Sequence, residues 1–293
     1  MSLMGILDRV ADVTSLDRAI EPARKAVLAA LKPQALKDAL HGTWLGHPLH
    51  PVLVQVPVGS WASAGLLDAI PPLRPAASVL IATGVAVSVP AAMSGAADWS
   101  EQEIGVRRLG AVHAAANTVA LGLYVGSLVA RARGRGTLGR VLAYTGLGVA
   151  SGSAAIGGHM SYSQSSGASH AATAARSLPH DWIDLGPLDD LPEGRPTRRS
   201  GQGQEVEVPL AVVRRGARVD VFVGACSHLS GPLWEGSIEE VRGSTCIVCP
   251  WHDSAFALDN GEPRRGPAAN PQEKLEVRME AGRVMARLQS RHL

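Results

Sequence analysis

Cys226-Ser227-His228-Leu229-Ser230-Gly231-Pro232-Leu233 and, after a spacer of 20 residues from that histidine, Cys249-Pro250-Trp251-His252-Asp253-Ser254-Ala255-Phe256 decide how this chain is read. Two cysteines and two histidines in matched pairs, Cys226 with His228 and Cys249 with His252, make the donor set of a metal site. Tetrahedral zinc accepts the same four donors. Zinc fingers, however, place their histidines on a helix as His-x3-5-His, and neither pair here has that form. Strand-like runs such as Val219-Asp220-Val221-Phe222-Val223, with Gly231-Pro232 and Asn260-Gly261 supplying turns, predict an all-β surround.

Cys-x-His followed by Cys-x-x-His, with Leu229, Gly231-Pro232-Leu233 and Phe256 around them, resembles the Rieske iron-sulfur family over about Trp182 to Leu288. Asp189-Asp190-Leu191-Pro192-Glu193-Gly194 opens this stretch as Rieske ferredoxins open theirs. The resemblance implies a small β domain with one [2Fe-2S] cluster at its tip, Cys226 and Cys249 on one iron, His228 and His252 on the other. High-potential members carry two further cysteines that bridge the cluster loops. The matching positions here are Gly231 and Trp251, so the chain is similar to the ferredoxin-type branch. Ser254 matches a serine that donates a hydrogen bond to a cluster sulfur, while Phe256 replaces a tyrosine hydroxyl. The resemblance therefore implies a potential in the lower or middle part of the Rieske range of about −150 to +300 mV. Cys246, three residues before Cys249, is read as a buried strand thiol.

With 28 Lys plus Arg against 26 Asp plus Glu in 293 residues, the formal charge is +2 and nucleic acid is not an expected partner. The average conceals a division, because residues 48–160 are dominated by Ala, Val, Gly, Leu and Ser. Four apolar spans, about 52–70, 76–97, 110–130 and 139–158, each approach the roughly 20 residues of a membrane helix. Their Gly/Ala-rich composition leaves a soluble helical bundle as the alternative. Against it, Arg, Lys and Glu are absent from the span interiors, and Gly122-x3-Gly126 and Gly148-x3-Gly152 have the small-residue spacing of close-packed membrane helices. His47-Pro48-Leu49-His50-Pro51 at their head, with Gly157-Gly158 and Tyr162 at their end, resembles the DUF2231 family of small bacterial membrane proteins over about 45–167. The expected fold is multi-domain α plus β. An amphipathic N-terminal segment at 1–46 precedes a four-helix transmembrane bundle at 47–160, a Ser/Ala/Gly-rich linker at 161–180 and a small all-β Rieske domain at 181–290.

Counting crossings brings His47, His50, Asp98, Trp99, His113, Asn117 and His159 to one membrane face, with the C-terminal domain, and leaves Asp68 near the other. Ionisable groups at mid-bilayer cost about 2.5–3.5 kcal/mol and tend to mark function. His47, His50, His113 and His159 are thus candidates for a second site holding haem b, a metal ion or a quinone. His113 with His50 or His159 is the preferred haem pair; each histidine taken alone reads equally well as a capping or interface residue.

In the first 40 residues charge interrupts the apolar run too early for a cleavable signal peptide, and none is expected. Ile20, Val27, Leu28, Leu31, Ala35, Leu36 and Leu40 alternate with Arg18, Arg24, Lys25, Lys32 and Lys37 in a helical rhythm interrupted at Pro22 and Pro33. Such a helix either lies on an anionic membrane surface or packs on the protein. Polar Arg195 to Gln204 reads as a hairpin tip. Loop charge does not choose a side: Lys32, Lys37, Arg107, Arg108 and Arg176 stand against Arg74, Arg131, Arg133, Arg135 and Arg140. The expected lack of a signal peptide and of a stabilising disulfide favours a cytoplasmic Rieske domain.

These features predict a membrane-anchored [2Fe-2S] protein passing single electrons between a membrane-side quinone or haem and a redox partner protein. Only about 37 residues follow Phe256, too few for the catalytic iron domain of a terminal oxygenase. An electron-transfer component is therefore expected rather than a stand-alone enzyme. The alternatives are a redox sensor and the Rieske component of a multi-subunit oxygenase or oxidoreductase.

Overall fold

The computed structural model describes residues 3–179, 181–202 and 207–288. The chain divides into two compact units, one formed by the residues up to Lys32 and by Leu49–Ser166, the other by Pro33–Pro48 and the chain from Gly167 onward.

The helical unit contains α1 (Leu3–Ala11) and α2 (Asp17–Ala30). After a segment carrying α3 (Gln34–His41), which belongs to the other unit, come α4 (His50–Leu53), α5 (Gln55–Asp68), α6 (Arg74–Ser100), α7 (Ile104–Ala132) and α8 (Gly136–Tyr162). α6, α7 and α8 are long and apolar enough to cross a membrane. The span expected at 52–70 is shorter than its hydropathy suggests. α5 has 14 residues, about 21 Å at 1.5 Å per residue against a hydrocarbon core of about 30 Å. Prolines set both its limits. Pro57 has no N–H for the carbonyl of Leu53, where α4 ends, and Pro71 forces Ile70 into an extended conformation.

Among the N-terminal helices the rhythm breaks at Pro33 and not at Pro22, which lies inside α2. Pro22 and Arg18 are both exposed, so the carbonyl that loses its donor meets solvent. α1 packs on α7 and α8, and α2 on α6 and α7. Leu7 and Ile20 are buried there, Arg24 donates to the carbonyl of Ser100 at 2.7 Å, and Arg108 forks onto the Asp17 carboxylate at 2.8 and 2.7 Å. The apolar face that a membrane surface would need is therefore occupied by protein.

Trp61 fastens α5 into the bundle. Its indole stacks on Tyr124 of α7, ring centroids 4.2 Å apart, and its Nε1–H points at the carbonyl of Ile81 on α6. This is possible because position 84 has no side chain: a methyl group there would sit 2.2 Å from Trp61 Nε1. Gly84→Ala is therefore expected to push the indole out and destabilise the helical unit by about 1–3 kcal/mol, read as a lowered unfolding temperature in detergent. An unchanged temperature would show that Trp61 moves aside freely. The Gly-x3-Gly pairs expected at the interface contribute little, since Gly122, Gly148 and Gly152 have nothing within 4 Å of a built Cβ. Gly146, against Tyr124, and Gly157, against His113, make the α7–α8 approach instead.

The other unit contains α3, a short helix α9 (His170–Ala175), and the strands β1 (Ile183–Pro187), β2 (Pro196–Gln202), β3 (Glu207–Arg215), β4 (Arg218–Val223), β5 (Ser237–Val241), β6 (Ser244–Val248), β7 (Ala255–Ala257), β8 (Pro263–Arg265), β9 (Lys274–Glu280) and β10 (Arg283–Leu288). One sheet runs β1-β10-β9-β4-β3-β2 and a second runs β5-β6-β7-β8, antiparallel throughout. β3 and β4 are buried on both faces, which is why they read as nearly continuous apolar runs. Leu210, Val212, Val219, Val221 and Val223 face one core, closed by Ala171 and Ala175 of α9. Ala211, Val213 and Phe222 face the other, shared with Cys226, Cys249, Ile247 and Phe256.

Two expectations change here. Arg195–Gln204 is mostly strand, β2 pairing with β3 from Pro196↔Val213 to Gln202↔Glu207; the last two residues of that stretch lie outside the described residues. As an edge strand β2 tolerates polar residues, and Arg198 and Arg199 spend theirs on the Trp234 ring and on the carbonyls of Leu185 and Asp190. The stretch expected as a linker begins within α8 and holds α9, capped by the Ser169 hydroxyl accepting from Ala172 N–H.

Candidate metal centre

Cys226 and His228 follow the end of β4, and Cys249 and His252 follow the end of β6. The two loops repeat one hydrogen-bond pattern. Cys226 N–H donates to Gly231 O at 2.9 Å and Ser230 N–H to Cys226 O at 2.9 Å; Cys249 N–H donates to Ser254 O at 2.9 Å and Asp253 N–H to Cys249 O at 3.1 Å. The fourth residue after each cysteine, Ser230 and Asp253, takes a positive φ of 61° and 59°. Non-glycine residues pay for that conformation, and its recurrence at matched positions marks loops built for a shared task. Gly231 closes the approach, since a methyl there would lie 2.7 Å from Cys249 Sγ and 3.3 Å from the Trp251 ring.

The thiols of Cys226 and Cys249 are 0% and 2% exposed and hydrogen-bond to one another. That bond, with burial behind it, raises Cys226 well above the usual thiol range. The same bond brings Cys249 down to about 7 against its burial. Backbone N–H groups of His228 and Leu229 serve the Cys226 sulfur, and those of Trp251 and His252 serve Cys249, so four amides favour thiolate. Burial first, then the neighbouring His252, pushes His228 down to about 3, which keeps it in the neutral form that ligates metal. The His228 and His252 rings lie edge to face with centroids 5.1 Å apart. The donors thus sort into a sulfur pair and a nitrogen pair. Among the described residues no group of three His, Cys, Asp or Glu side chains is placed to hold a single metal ion. Two separate pairs fit a [2Fe-2S] cluster.

The surroundings follow the same plan. Ser254 is buried, and its Oγ accepts Ala268 N–H at 3.0 Å, which orients the hydroxyl and leaves its hydrogen to donate. Phe256 packs in the core with both ligand cysteines. Cys246 sits apart with Val248, Ala255 and Ala257, its Sγ 3.3 Å from the carbonyl of Ser244 and its pKa raised by burial. Sequence reading passes over Gln272, a buried amide whose Oε1 accepts Ser227 N–H at 2.8 Å and whose Nε2 donates to the carbonyls of Val223 and Ala225. Ser227 Oγ also donates to Asn270 O at 2.9 Å. No spacing rule points to these residues, because their partners are mostly backbone groups.

The four histidines of the expected second site each have a partner of their own. His47 belongs to the β unit, its Nδ1 3.0 Å from the Pro48 carbonyl. In the helical unit His50 Nδ1 donates to Ala91 O of α6 at 2.8 Å, and His159 Nε2 meets Asp8 Oδ1 of α1 at 2.9 Å. His113 reaches from α7 to α8, its Nδ1 2.8 Å from Ser153 O and 2.9 Å from Ser153 Oγ, while its Nε2 lies 3.1 Å from Asn117 Nδ2. Both ring nitrogens of His113 are engaged. His50 and His113 thus fasten helices to one another through backbone carbonyls, which leave no mark in the sequence, and His159 does so through the Asp8 carboxylate.

A family model described as a Rieske [2Fe-2S] domain matches residues 181–278, and one described as a predicted membrane protein, DUF2231, matches residues 46–175. Among curated proteins the chain is similar to the anthranilate 1,2-dioxygenase ferredoxin subunit of Burkholderia cepacia, 31% identical over 104 residues, covering 36% of this chain and 89% of that protein. It is also similar to ferredoxin CarAc of Metapseudomonas resinovorans, 29% identical over 103 residues, 35% of this chain and 90% of that protein. Among solved structures it is similar to the ferredoxin of carbazole 1,9a-dioxygenase from Nocardioides aromaticivorans IC177, 26% identical, covering 37% of this chain and 98% of that one with a TM-score of 0.33.

Proposed function

We propose, because the chain belongs to the Rieske [2Fe-2S] family and joins that domain to a DUF2231 membrane domain, that it is a membrane-anchored carrier of single electrons. The observation that carries this reading is the pair of matched loops, which bring Cys226 beside Cys249 and His228 beside His252. The cysteines would hold one iron and the histidines the other; bound there, the cluster supplies a one-electron couple. The chain's own groups do the rest. Amides aimed at the two sulfurs hold negative charge on them, and the half-buried imidazoles, with Trp251 exposed beside His252, leave an edge open for a redox partner protein. A relative named as the ferredoxin subunit of anthranilate 1,2-dioxygenase supports a partner of the oxygenase or oxidoreductase class. A haem iron would have to displace Ser153 or Asn117 from His113, so haem has no part in this reading. Electron paramagnetic resonance of the detergent-purified protein tests it: one two-iron, two-sulfur centre per chain, with nitrogen coupling from two histidines, is expected. Zinc without acid-labile sulfide, after anaerobic preparation with iron, would overturn it.

In the same reading α4 and α5 together make a fourth, short crossing. The two ends of the helical unit support this. Asp68, Ser78 and Arg131 meet at one end, while His50 with Ala91 and His113 with Ser153 meet toward the other, as alternating helix directions require. Residues 1–47, 98–109 and 161–293 then share one side, taken as cytoplasmic, and 71–75 and 131–138 the other. Single-cysteine labelling in intact cells is expected to reach positions in 34–47, in 98–109 and in 161–179 from the same side. Labelling of 34–47 from the side opposite to 98–109 means three crossings, α6 to α8 alone.

A further inference from the structure

Asp38 lies outside both family matches, which cover 181–278 and 46–175, yet its segment is folded into the β unit. Its carboxylate is 2% exposed. Oδ1 accepts the backbone N–H of Gly266 at 2.8 Å and Nε2 of Gln34 at 2.8 Å, and Oδ2 accepts Nη2 of Arg242 at 2.5 Å. The carbonyl of Asp38 takes the N–H groups of Gly42 and Thr43, with Gly42 left-handed at φ 79°, so α3 ends in a fixed turn. That turn lays the segment on Gly266, where a methyl would be 3.3 Å from Thr43 Cγ2 and 3.4 Å from His41 Cδ2.

Gly266 opens the loop between β8 and β9, and that loop ties the two ligand loops together. Ala268 N–H holds Ser254 Oγ in the Cys249 loop, while Asn270 O and the Gln272 side chain hold Ser227 and Ala225 in the Cys226 loop. A carboxylate buried at the head of such a brace costs desolvation, which good geometry must recover; three donors on its two oxygens provide that geometry.

We infer that Asp38 is a positioning residue for the cluster, fixing the Gly266 loop so that Ser254 and the two ligand loops keep their places. This rests on the electron-carrier reading. The test uses the full-length protein in detergent and reads cluster line shape, midpoint potential and lifetime. Asp38→Ala leaves the Gly266 N–H and Arg242 without this acceptor, and is expected to shift potential and line shape and shorten cluster lifetime about tenfold. Asp38→Asn keeps an acceptor for Gly266 but not the charge facing Arg242, and is expected to fall between wild type and alanine. Wild-type potential, line shape and lifetime in Asp38→Ala overturn the inference. If that variant does not accumulate, Asp38→Asn decides, wild-type values again overturning it. A wild-type protein that assembles no cluster is the failure of the electron-carrier reading and is seen in the control sample.

Discussion

Cys249→Ser is expected to abolish the iron-sulfur spectrum, and Cys246→Ser, three residues earlier, to leave it unchanged. The two thiols are both buried, but only one has the surroundings of a ligand. Cys249 lies against Gly231, hydrogen-bonds to Cys226, receives the amides of Trp251 and His252, and has its pKa brought down to about 7. A serine hydroxyl there keeps its proton and cannot replace a thiolate as an iron ligand. Loss of one donor of four also removes the metal's contribution to folding, so the β unit of Cys249→Ser should unfold at a lower temperature than the loaded wild type. Cys246 has none of these features; its pKa is raised, its neighbours are aliphatic, and a hydroxyl at that position would still find the Ser244 carbonyl. Acid-labile sulfide and the resonance spectrum of both variants decide the matter. An intact centre in Cys249→Ser with a lost one in Cys246→Ser would move the ligand to position 246.

The ligand loops are legible in the sequence because what shapes them is local. A cysteine, a histidine two or three residues on, and a residue able to take positive φ at the fourth place close each turn within six positions. The apolar stretches are legible for a similar reason, since a buried or lipid-facing helix needs only composition and length. What the sequence hides is long-range. Asp38 meets Gly266 across 228 residues, and its helix shows the same amphipathic rhythm as α2, which packs elsewhere. Glycine spacing says that helices approach closely but not which glycine faces the neighbour; that depends on helix rotation, and Gly146 and Gly157 face α7 while Gly148 and Gly152 do not. The histidines of the helical unit project onto one end in the sequence, but the partner that each ring meets there, Ala91, Ser153 or Asp8, is a long-range choice that no spacing shows. β2 is polar because it is an edge, a property of the sheet rather than of its own residues.

Arg131→Met is expected to destabilise the helical unit by about 3–5 kcal/mol, because it leaves the Asp68 carboxylate buried without its cation. Hydropathy assigns Arg131 to a loop, but α7 runs on to Ala132 and turns this side chain inward. Asp68, at the end of α5, is 1% exposed. The Arg131 guanidinium forks onto its two carboxylate oxygens, Nη1 meeting Oδ1 at 2.9 Å. The same guanidinium donates to Ser78 Oγ of α6 at 3.3 Å and to Ser127 Oγ at 3.1 Å, and Ser127 in turn donates to Gly139 O of α8 at 2.6 Å. One polar network therefore joins α5, α6, α7 and α8, and the pair is its centre. The magnitude follows from asymmetry. Removing one charge strands the other, whereas removing both trades a desolvated pair for apolar packing and is close to neutral. Asp68→Leu combined with Arg131→Met should therefore recover most of the stability that Arg131→Met loses. Denaturant unfolding in detergent of the two single variants and the double variant completes the cycle. Additive single effects, with the double variant the least stable of the three, would mean that the charges stand side by side without depending on each other.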